Sequence, residues 1–176
     1  QVPGGDTLGR FRNLLVRNGL QEKLFVRVVE LLEAKGLLLK KGTIVDSTII
    51  AAPSSTKNRD HQRDPEAHQV KKGNAWHFGY KAHIGADKDS GLVHTLKVTS
   101  ANIHDVSVTS ELLTGNEECV YGDSGYLGAE KRVDAIVHND QGRKIKYRIN
   151  RPQIGKEGWD CRSLTGIILS HLRFES

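Results

Sequence analysis

Apolar residues recur with two different periods along the chain, and these periods predict helices first and strands afterwards. Helical spacing predicts two helices, over residues 7–18 and 21–35, and each is followed by a glycine, Gly19 and Gly36, that would end it. The next apolar run, residues 42–50, is rich in β-branched residues and has no polar face. Such a run is typical of a central strand in a sheet that is covered on both sides.

Polar and apolar residues alternate further along the chain, which indicates strands that share a sheet. Residues 76–87 alternate strictly, and the turn 87–91 leads into a second such run, residues 92–100, so the pair predicts a β-hairpin. Before this hairpin, residues 51–75 are polar, charged and without period, which predicts an exposed loop. The remaining predicted elements are a helix from Asn102 or Asp105 to Leu113, a strand over 118–121, a helix over 129–138 and a strand over 143–150.

This order of elements predicts an α/β fold. A strand, a hairpin and then strands joined through helices give an RNase H-like mixed sheet, with a three-stranded antiparallel part and parallel strands, preceded by two short helices. We therefore divide the chain into a helical segment at 1–40, an RNase H-like domain at 41–152 with 51–75 as an exposed loop insertion, and a tail at 153–176. The tail has no amphipathic period, and we expect it to be aberrant and without order.

Composition narrows the class of protein. The chain of 176 residues suits one domain, with 37% hydrophobic and 27% charged residues. No apolar run is long enough to span a membrane, no signal pattern is present, and Cys119 and Cys161 form no metal or disulfide motif, so we expect a cytoplasmic protein. The net charge of +5 favours polyanionic partners only weakly. Because the chain has no methionine, we expect the numbering to begin inside a longer protein.

Two aspartates carry the strongest chemical signal. Asp46 lies within the apolar run 42–50, where an uncompensated carboxylate would be costly to bury. Asp123 lies at the carboxyl end of a predicted strand, where ligands of open α/β sheets usually bind. If the two strands are neighbours, both carboxylates could share a site for Mg²⁺ or Mn²⁺, which prefer oxygen ligands. The alternative, a satisfied core aspartate and a turn-forming Asp-Ser-Gly, stays open.

Other polar residues offer weaker alternatives. A zinc site could be built from histidines on the predicted hairpin and beyond it, although no tight ligand motif is present. These histidines are His77, His83, His94 and His104. Lys71, Lys72, Lys81 and His83 could contact a DNA backbone, although an ordinary solvated, charged surface explains the lysines equally well.

Four longer motifs resemble a known family. They are GLLLKKGTIVDSTIIAAPSSTKN at 36–58, Asp64-Pro65-Glu66 with KKGNAWHFGYKAHIG at 71–85, ANIHD at 101–105 and YGDSGYLG at 121–128. Together they resemble DDE-class insertion-sequence transposases, most closely the insertion sequence five family, over about residues 2–152. The resemblance implies an RNase H-like catalytic domain behind helices that help to bind terminal repeats. It also implies that Asp46 and Asp123 are the first two metal-binding catalytic carboxylates.

The resemblance further implies a reaction and its partners. Water attacks a phosphodiester at the element's end, and the freed 3′-hydroxyl then attacks target DNA, both by metal-assisted in-line displacement. The partners would be double-stranded DNA, as terminal inverted repeats and as target, and a second copy of the full-length chain, in the bacterial cytoplasm and without a membrane.

The chain departs from the family pattern in two respects. Most of the helical region that precedes Gln1 in the family is missing, and residues 154–176 do not match the region that should carry a third acidic residue. Glu157 and Glu175 are the nearest candidates for that residue. We therefore expect a transposase that is an incomplete copy. A catalytically inactive DNA-binding remnant and an RNase H-like metal-dependent nuclease are the alternatives.

Overall fold

The chain divides into two units, which are described separately. The computed structural model describes residues 3–57 and 61–150. Close contacts between residues fall into one unit at Gln1–Leu39 and a second at Lys40–Ser176.

The first unit holds two helices, α1 at Gly5–Arg17 and α2 at Gln21–Ala34, as the helical spacing predicts. Each ends before a glycine with positive φ, Gly19 at 59° and Gly36 at 69°, a conformation that glycine adopts without a steric penalty. Within residues 3–57 and 61–150, no helix combines the length and the apolar character that a bilayer crossing requires.

The second unit is built on one six-stranded mixed sheet, which confirms the predicted α/β, RNase H-like fold class. Its strands are β1 Gly42–Ala51, β2 His68–Lys72, β3 Ala75–Asp87, β4 Val93–Ser100, β5 Cys119–Gly122 and β6 Lys146–Ile149. The order is β2-β3-β1-β5-β6, and β4 also pairs with β3. Pairing is antiparallel among β1 to β4 and parallel from β1 to β5 and from β5 to β6.

Strand β1 is central because its first half is apolar on both faces. Val45 and its neighbours on one face pack with Val120, Tyr126 and the 3₁₀ helix Asp105–Leu112. Ile44 on the other face packs with residues of β3 and β5. Burial of these side chains on both faces fixes the register of β1, since a slip by one residue would exchange the two faces.

Three predicted elements differ from the structure, one of them only in its helical geometry. The stretch 51–75, predicted to be a loop throughout, contains β2, which forms a hairpin with the start of β3 around Gly73 at φ 60°. The helix predicted over 129–138 is wrong, because only Ala129–Lys131 forms a single 3₁₀ turn. The helix predicted from Asp105 is present, but it has 3₁₀ geometry and covers Asp105–Leu112.

The segment after Lys131 makes its hydrogen bonds outside a helix. The carbonyl oxygen of Val137 accepts from the backbone N–H of Ile145 at 2.8 Å, and that of Ile136 accepts from the Tyr147 hydroxyl at 2.9 Å. The Asp134 carboxylate accepts locally from Arg132 at 2.9 Å. β-Branched residues and aspartates that bond to nearby groups both disfavour a helix. This segment therefore forms hydrogen bonds with Ile145 and Tyr147 instead of helical ones.

Glu117 is a fully buried carboxylate that ties β1 to the loop before β5. Its Oε1 accepts from the Thr43 hydroxyl at 3.0 Å and from the Thr114 backbone N–H at 2.6 Å, and its Oε2 accepts from the Gly115 N–H at 2.9 Å. Several buried donors therefore depend on this one side chain. A buried donor that loses its acceptor cannot turn to water instead.

We expect Glu117→Ala to lower the free energy of unfolding by about 3 kcal/mol, because it leaves these donors unpaired and opens a cavity. Urea unfolding measures the loss. The matched control is Glu118→Ala, whose exposed side chain lies 3.8 Å from Arg143. That change should cost less than about 0.5 kcal/mol. Equal losses in the two variants would contradict the structural role of Glu117.

Candidate metal site

Parallel pairing of β1 and β5 brings Asp46 and Asp123 together. The register pairs Gly42 with Cys119 and Ile44 with Tyr121. Asp46 lies two residues beyond Ile44, and Asp123 lies two residues beyond Tyr121. They therefore occupy equivalent positions on neighbouring strands, which run about 4.8 Å apart. We call Asp46 and Asp123 the acidic pair.

Backbone donors orient both members of the acidic pair. Asp46 Oδ1 accepts from the backbone N–H of Ser47 at 2.7 Å. Asp123 comes directly after β5 and caps the short 3₁₀ turn Ser124–Tyr126, in which its Oδ1 accepts from the Gly125 N–H at 2.9 Å. Asp123 is exposed, whereas Asp46 is half-buried. The sheet thus presents two carboxylates that are held in place by its own backbone.

A third carboxylate, Asp105, lies beside the pair at the start of the 3₁₀ helix. Its Oδ1 accepts from Lys81 Nζ at 2.9 Å. Its Oδ2 lies 3.4 Å from the point that a Cβ on Gly125 would occupy, and Asp123 Oδ1 lies 3.0 Å from that same point. Asp105 and Asp123 therefore approach one another across Gly125, where the lack of a side chain leaves room for both.

Ionisation of Asp46 is disfavoured at this site. Burial raises the pKa of Asp46, and the negative charges of Asp123 and Asp105 raise it further. The Ser47 N–H and the positive charge of Lys72 act in the opposite direction. A carboxylate that is buried beside others of like charge is a frequent feature of sites that bind cations or perform acid–base chemistry.

The Tyr126 hydroxyl faces the same carboxylates. Tyr126 is 1% exposed, and its hydroxyl has no partner with hydrogen-bond geometry, although the Ser47 side chain lies near enough to lower its pKa slightly. Burial raises the pKa of Tyr126, and the charges of Asp105, Asp46 and Asp123 raise it further. A buried hydroxyl without a partner is rare and calls for a specific explanation.

The four residues predicted to contact DNA separate into two groups. Lys71 and Lys72 lie exposed on β2. Lys81 and His83 are buried on β3, where Lys81 Nζ donates to Asp105 and to the Ile103 carbonyl at 2.8 Å. The alternating pattern suggested a polar surface here, but the 3₁₀ helix that begins at Asp105 covers it. Their burial argues against a direct contact of Lys81 or His83 with a duplex.

The histidines considered for zinc do not converge. His83 Nε2 lies 2.9 Å from the Thr99 hydroxyl, and His94 lies 2.8 Å from the Thr95 hydroxyl and 3.3 Å from that of Thr43. Across residues 3–57 and 61–150, no group of three or more His, Cys, Asp or Glu side chains is arranged to hold a metal ion. Glu157 and Glu175, the candidates for a third acidic residue, lie outside the described residues.

Sequence reasoning did not identify Asp105 and Tyr126 as members of this site. Asp105 was interpreted as a helix start, which is the usual role of an aspartate before a helix. Both residues nevertheless lie in the motifs that carry the family resemblance, ANIHD and YGDSGYLG. Their place in these motifs was the feature of the sequence that could have identified them.

Removing the charge of Asp46 should stabilise the metal-free protein at neutral pH. Folding raises the pKa of this group above its ordinary value of 3.8. The ionised form therefore opposes folding at any pH above that range, and Asp46→Asn abolishes this opposition. We expect a higher Tm for Asp46→Asn in EDTA at pH 7, and a gain that shrinks as the pH falls through the raised pKa towards 3.8.

Asp64→Asn is the comparison of opposite sign. The Tyr80 hydroxyl donates to Asp64 and lowers the pKa of that carboxyl, so its charge favours folding above 3.8. Asp64→Asn should therefore lower the Tm at pH 7, with the loss disappearing in acid. A fall in Tm for Asp46→Asn at pH 7 would contradict the charge repulsion described for the site.

Comparison with known proteins identifies the family of the chain. A family model described as the transposase DDE domain matches residues 38–160, which is more than half of the chain. Among solved structures, the chain is similar to one titled "Cryo-EM structure of piggyBac transposase synaptic complex with hairpin DNA (SNHP)". That match has a TM-score of 0.41 and 9% sequence identity, and it covers 70% of this chain and 25% of the other. The chain thus spans a quarter of the length of that structure. On the family match, the chain belongs to the transposase DDE domain family.

Proposed function

We propose that this chain carries the catalytic centre of a transposase that cleaves insertion-sequence ends and joins them to target DNA with Mg²⁺ or Mn²⁺. The observation that carries the proposal is the placement of Asp46 and Asp123 at equivalent positions on neighbouring parallel strands. The family match supports the same chemistry.

The residues present suit a hard divalent cation. Carboxylate oxygens are the ligands that Mg²⁺ and Mn²⁺ prefer, and Asp46 and Asp123 would hold the ion. Burial, and after it the negative charges of Asp123 and Asp105, raise the pKa of Asp46, and a bound cation would favour its ionised form again. When bound, such an ion activates a nucleophile and stabilises the leaving oxygen of a phosphodiester.

The chain's own contribution is to fix the acidic pair before the ion arrives. The N–H groups of Ser47 and Gly125 each hold one oxygen of an aspartate, at 2.7 and 2.9 Å. Both donors belong to backbone that the sheet and the turn after β5 already order. Groups held in this way do not have to be reorganised during the reaction, which favours catalysis.

DNA would approach along β2. Lys71 and Lys72 are exposed there, and the charge of Lys72 reaches Asp46 strongly enough to lower its pKa. A phosphate backbone that is held by these lysines would therefore pass close to the acidic pair. Pairing of two copies during transposition stays a prediction from the family resemblance.

A second function is binding of DNA without cleavage. One observation favours it: within residues 3–57 and 61–150, no three acidic, His or Cys side chains form a ready-made metal cage. A site with two ligands binds a cation more weakly than one with three. The protein would then occupy DNA through its basic surface alone.

Cleavage and joining assays separate the candidates. The probe is a labelled duplex made from the DNA that flanks the gene, incubated with Mg²⁺ or Mn²⁺ or with EDTA, with supercoiled plasmid as target. Metal-dependent nicking followed by joining to the plasmid supports the transposase. Nicking without joining supports a nuclease, and binding without nicking supports the DNA-binding protein. Loss of all three activities would overturn both proposed functions.

A further inference from the structure

Asp105 lies between the acidic pair and two buried residues of β3, Lys81 and His83. This position gives Asp105 a function of its own. We propose that Asp105 is a third acidic member of the site, which attracts the bound cation by its charge while Lys81 fixes its position. The inference rests on the proposed cation site. Asp105 acts on the cation through its charge and does not bind the cation directly.

The two oxygens of Asp105 have different surroundings. Oδ1 is tied to the β3 side by Lys81 Nζ at 2.9 Å, and His83 Nδ1 lies 3.7 Å away. Oδ2 faces Gly125, across which Asp123 Oδ1 lies. Lys81 is itself fixed by the Ile103 carbonyl at 2.8 Å, so the ion pair is braced on both sides. Asp105 therefore cannot turn away from the acidic pair without breaking the hydrogen bonds that hold it.

An independent feature indicates that something polar binds beside these carboxylates. The Tyr126 hydroxyl is buried and has no partner with full hydrogen-bond geometry, although the Ser47 side chain lies near it, and the charges of Asp105, Asp46 and Asp123 act on it. A water molecule or a phosphate oxygen that accompanies the cation would give this hydroxyl an acceptor. The structure thus places a buried hydroxyl without a full hydrogen bond beside the three carboxylates.

Charge, rather than direct ligation, explains the arrangement. In the described ranges 3–57 and 61–150, Asp105 does not complete a three-residue metal cage with the acidic pair. Lys81 holds Oδ1 of Asp105, while Oδ2 lies on the side of Gly125 and Asp123. The Lys81–Asp105 pair therefore turns its negative end towards the acidic pair.

Titration of Mn²⁺ into the full chain by calorimetry tests the proposal. Asp105→Asn keeps the shape of the side chain but not its charge, and the Kd for Mn²⁺ should rise at least about tenfold. Lys81→Met breaks the same ion pair but keeps the charge of Asp105, so it should raise the Kd by less than about threefold. Asp89→Asn, an exposed change of the same charge on the β3–β4 turn, should leave the Kd unchanged.

The unequal responses of the two variants distinguish charge from structure. If the ion pair only stabilised the fold, Asp105→Asn and Lys81→Met would weaken Mn²⁺ binding alike, and the proposal would be overturned. Thermal unfolding in EDTA shows whether each variant is folded. If Asp105→Asn does not fold, the double variant Lys81→Met/Asp105→Asn removes both charges together and is compared with Lys81→Met alone. Weaker binding by the double variant supports the proposal, and equal binding overturns it.

Failure of the cation site itself gives a different result. If Asp46→Asn abolishes Mn²⁺ binding while Asp105→Asn stays within about twofold of wild type, the role of Asp105 is refuted and the proposed function stands. If the wild-type chain shows no Mn²⁺ binding, both proposals fail together.

Discussion

Asp123→Asn is expected to lower metal-dependent DNA cleavage at least about 10³-fold while the protein stays folded. The asparagine side chain can still accept from the Gly125 N–H, as Asp123 Oδ1 does at 2.9 Å, so the turn after β5 is kept. It loses the negative charge with which Asp123 and Asp46 together would hold the cation. The loss should therefore appear in the rate and not in the Tm.

Single-turnover cleavage of the labelled flanking duplex, with Mn²⁺ and with Mg²⁺, measures this effect. Asp89→Asn is the matched control, because it removes the same charge from an exposed turn outside the acidic pair. Duplex binding in EDTA should be at least as strong in Asp123→Asn as in Asp89→Asn, since Asp123 repels phosphate in the absence of a cation. Cleavage by Asp123→Asn at the wild-type rate would exclude Asp123 from the site and leave the DNA-binding function as the better account.

The part of the site that the sequence could predict lies on the strands. Asp46 was recognisable because a carboxylate within an apolar, β-branched run needs compensation. Asp123 was recognisable because it ends a short apolar strand before a turn. Their proximity required only that β1 and β5 be neighbours, which the parallel register between them confirms. The catalytic role of both residues stays a prediction.

Residues brought in by packing could not be found in this way. Asp105 joins the acidic pair because the turn at Gly125 approaches the start of a 3₁₀ helix, and no local pattern reports such an approach. Lys81 and His83 alternate as residues of a polar face, yet that face is buried. Strand β2 escaped prediction because its pairing with β3 relies on a turn at Gly73 within a polar stretch.

Gly79→Ala is expected to lower the free energy of unfolding by about 4 kcal/mol or more, because strain and overlap add at one position. Gly79 has φ 154°, which L-residues rarely adopt. A Cβ there would lie 2.1 Å from the Ile50 carbonyl oxygen and 2.7 Å from the Ala52 nitrogen. Both are backbone atoms, which cannot move without distorting β1. The overlap falls where Gly79 of β3 pairs with Ala51 of β1, the strand that also carries Asp46.

Gly73→Ala is the control that separates strain from overlap. Gly73 also has positive φ, 60°, but a Cβ there would meet no atom within 4 Å. It should cost only about 1–2 kcal/mol, the penalty of the left-handed conformation itself. Urea unfolding of both variants measures the difference, and the Mn²⁺ affinity of whatever Gly79→Ala protein folds shows whether the distortion reaches the acidic pair. Equal midpoints for the two variants would mean that β1 and β3 do not approach at Gly79 as closely as described, and the position assigned to Asp46 would lose its support.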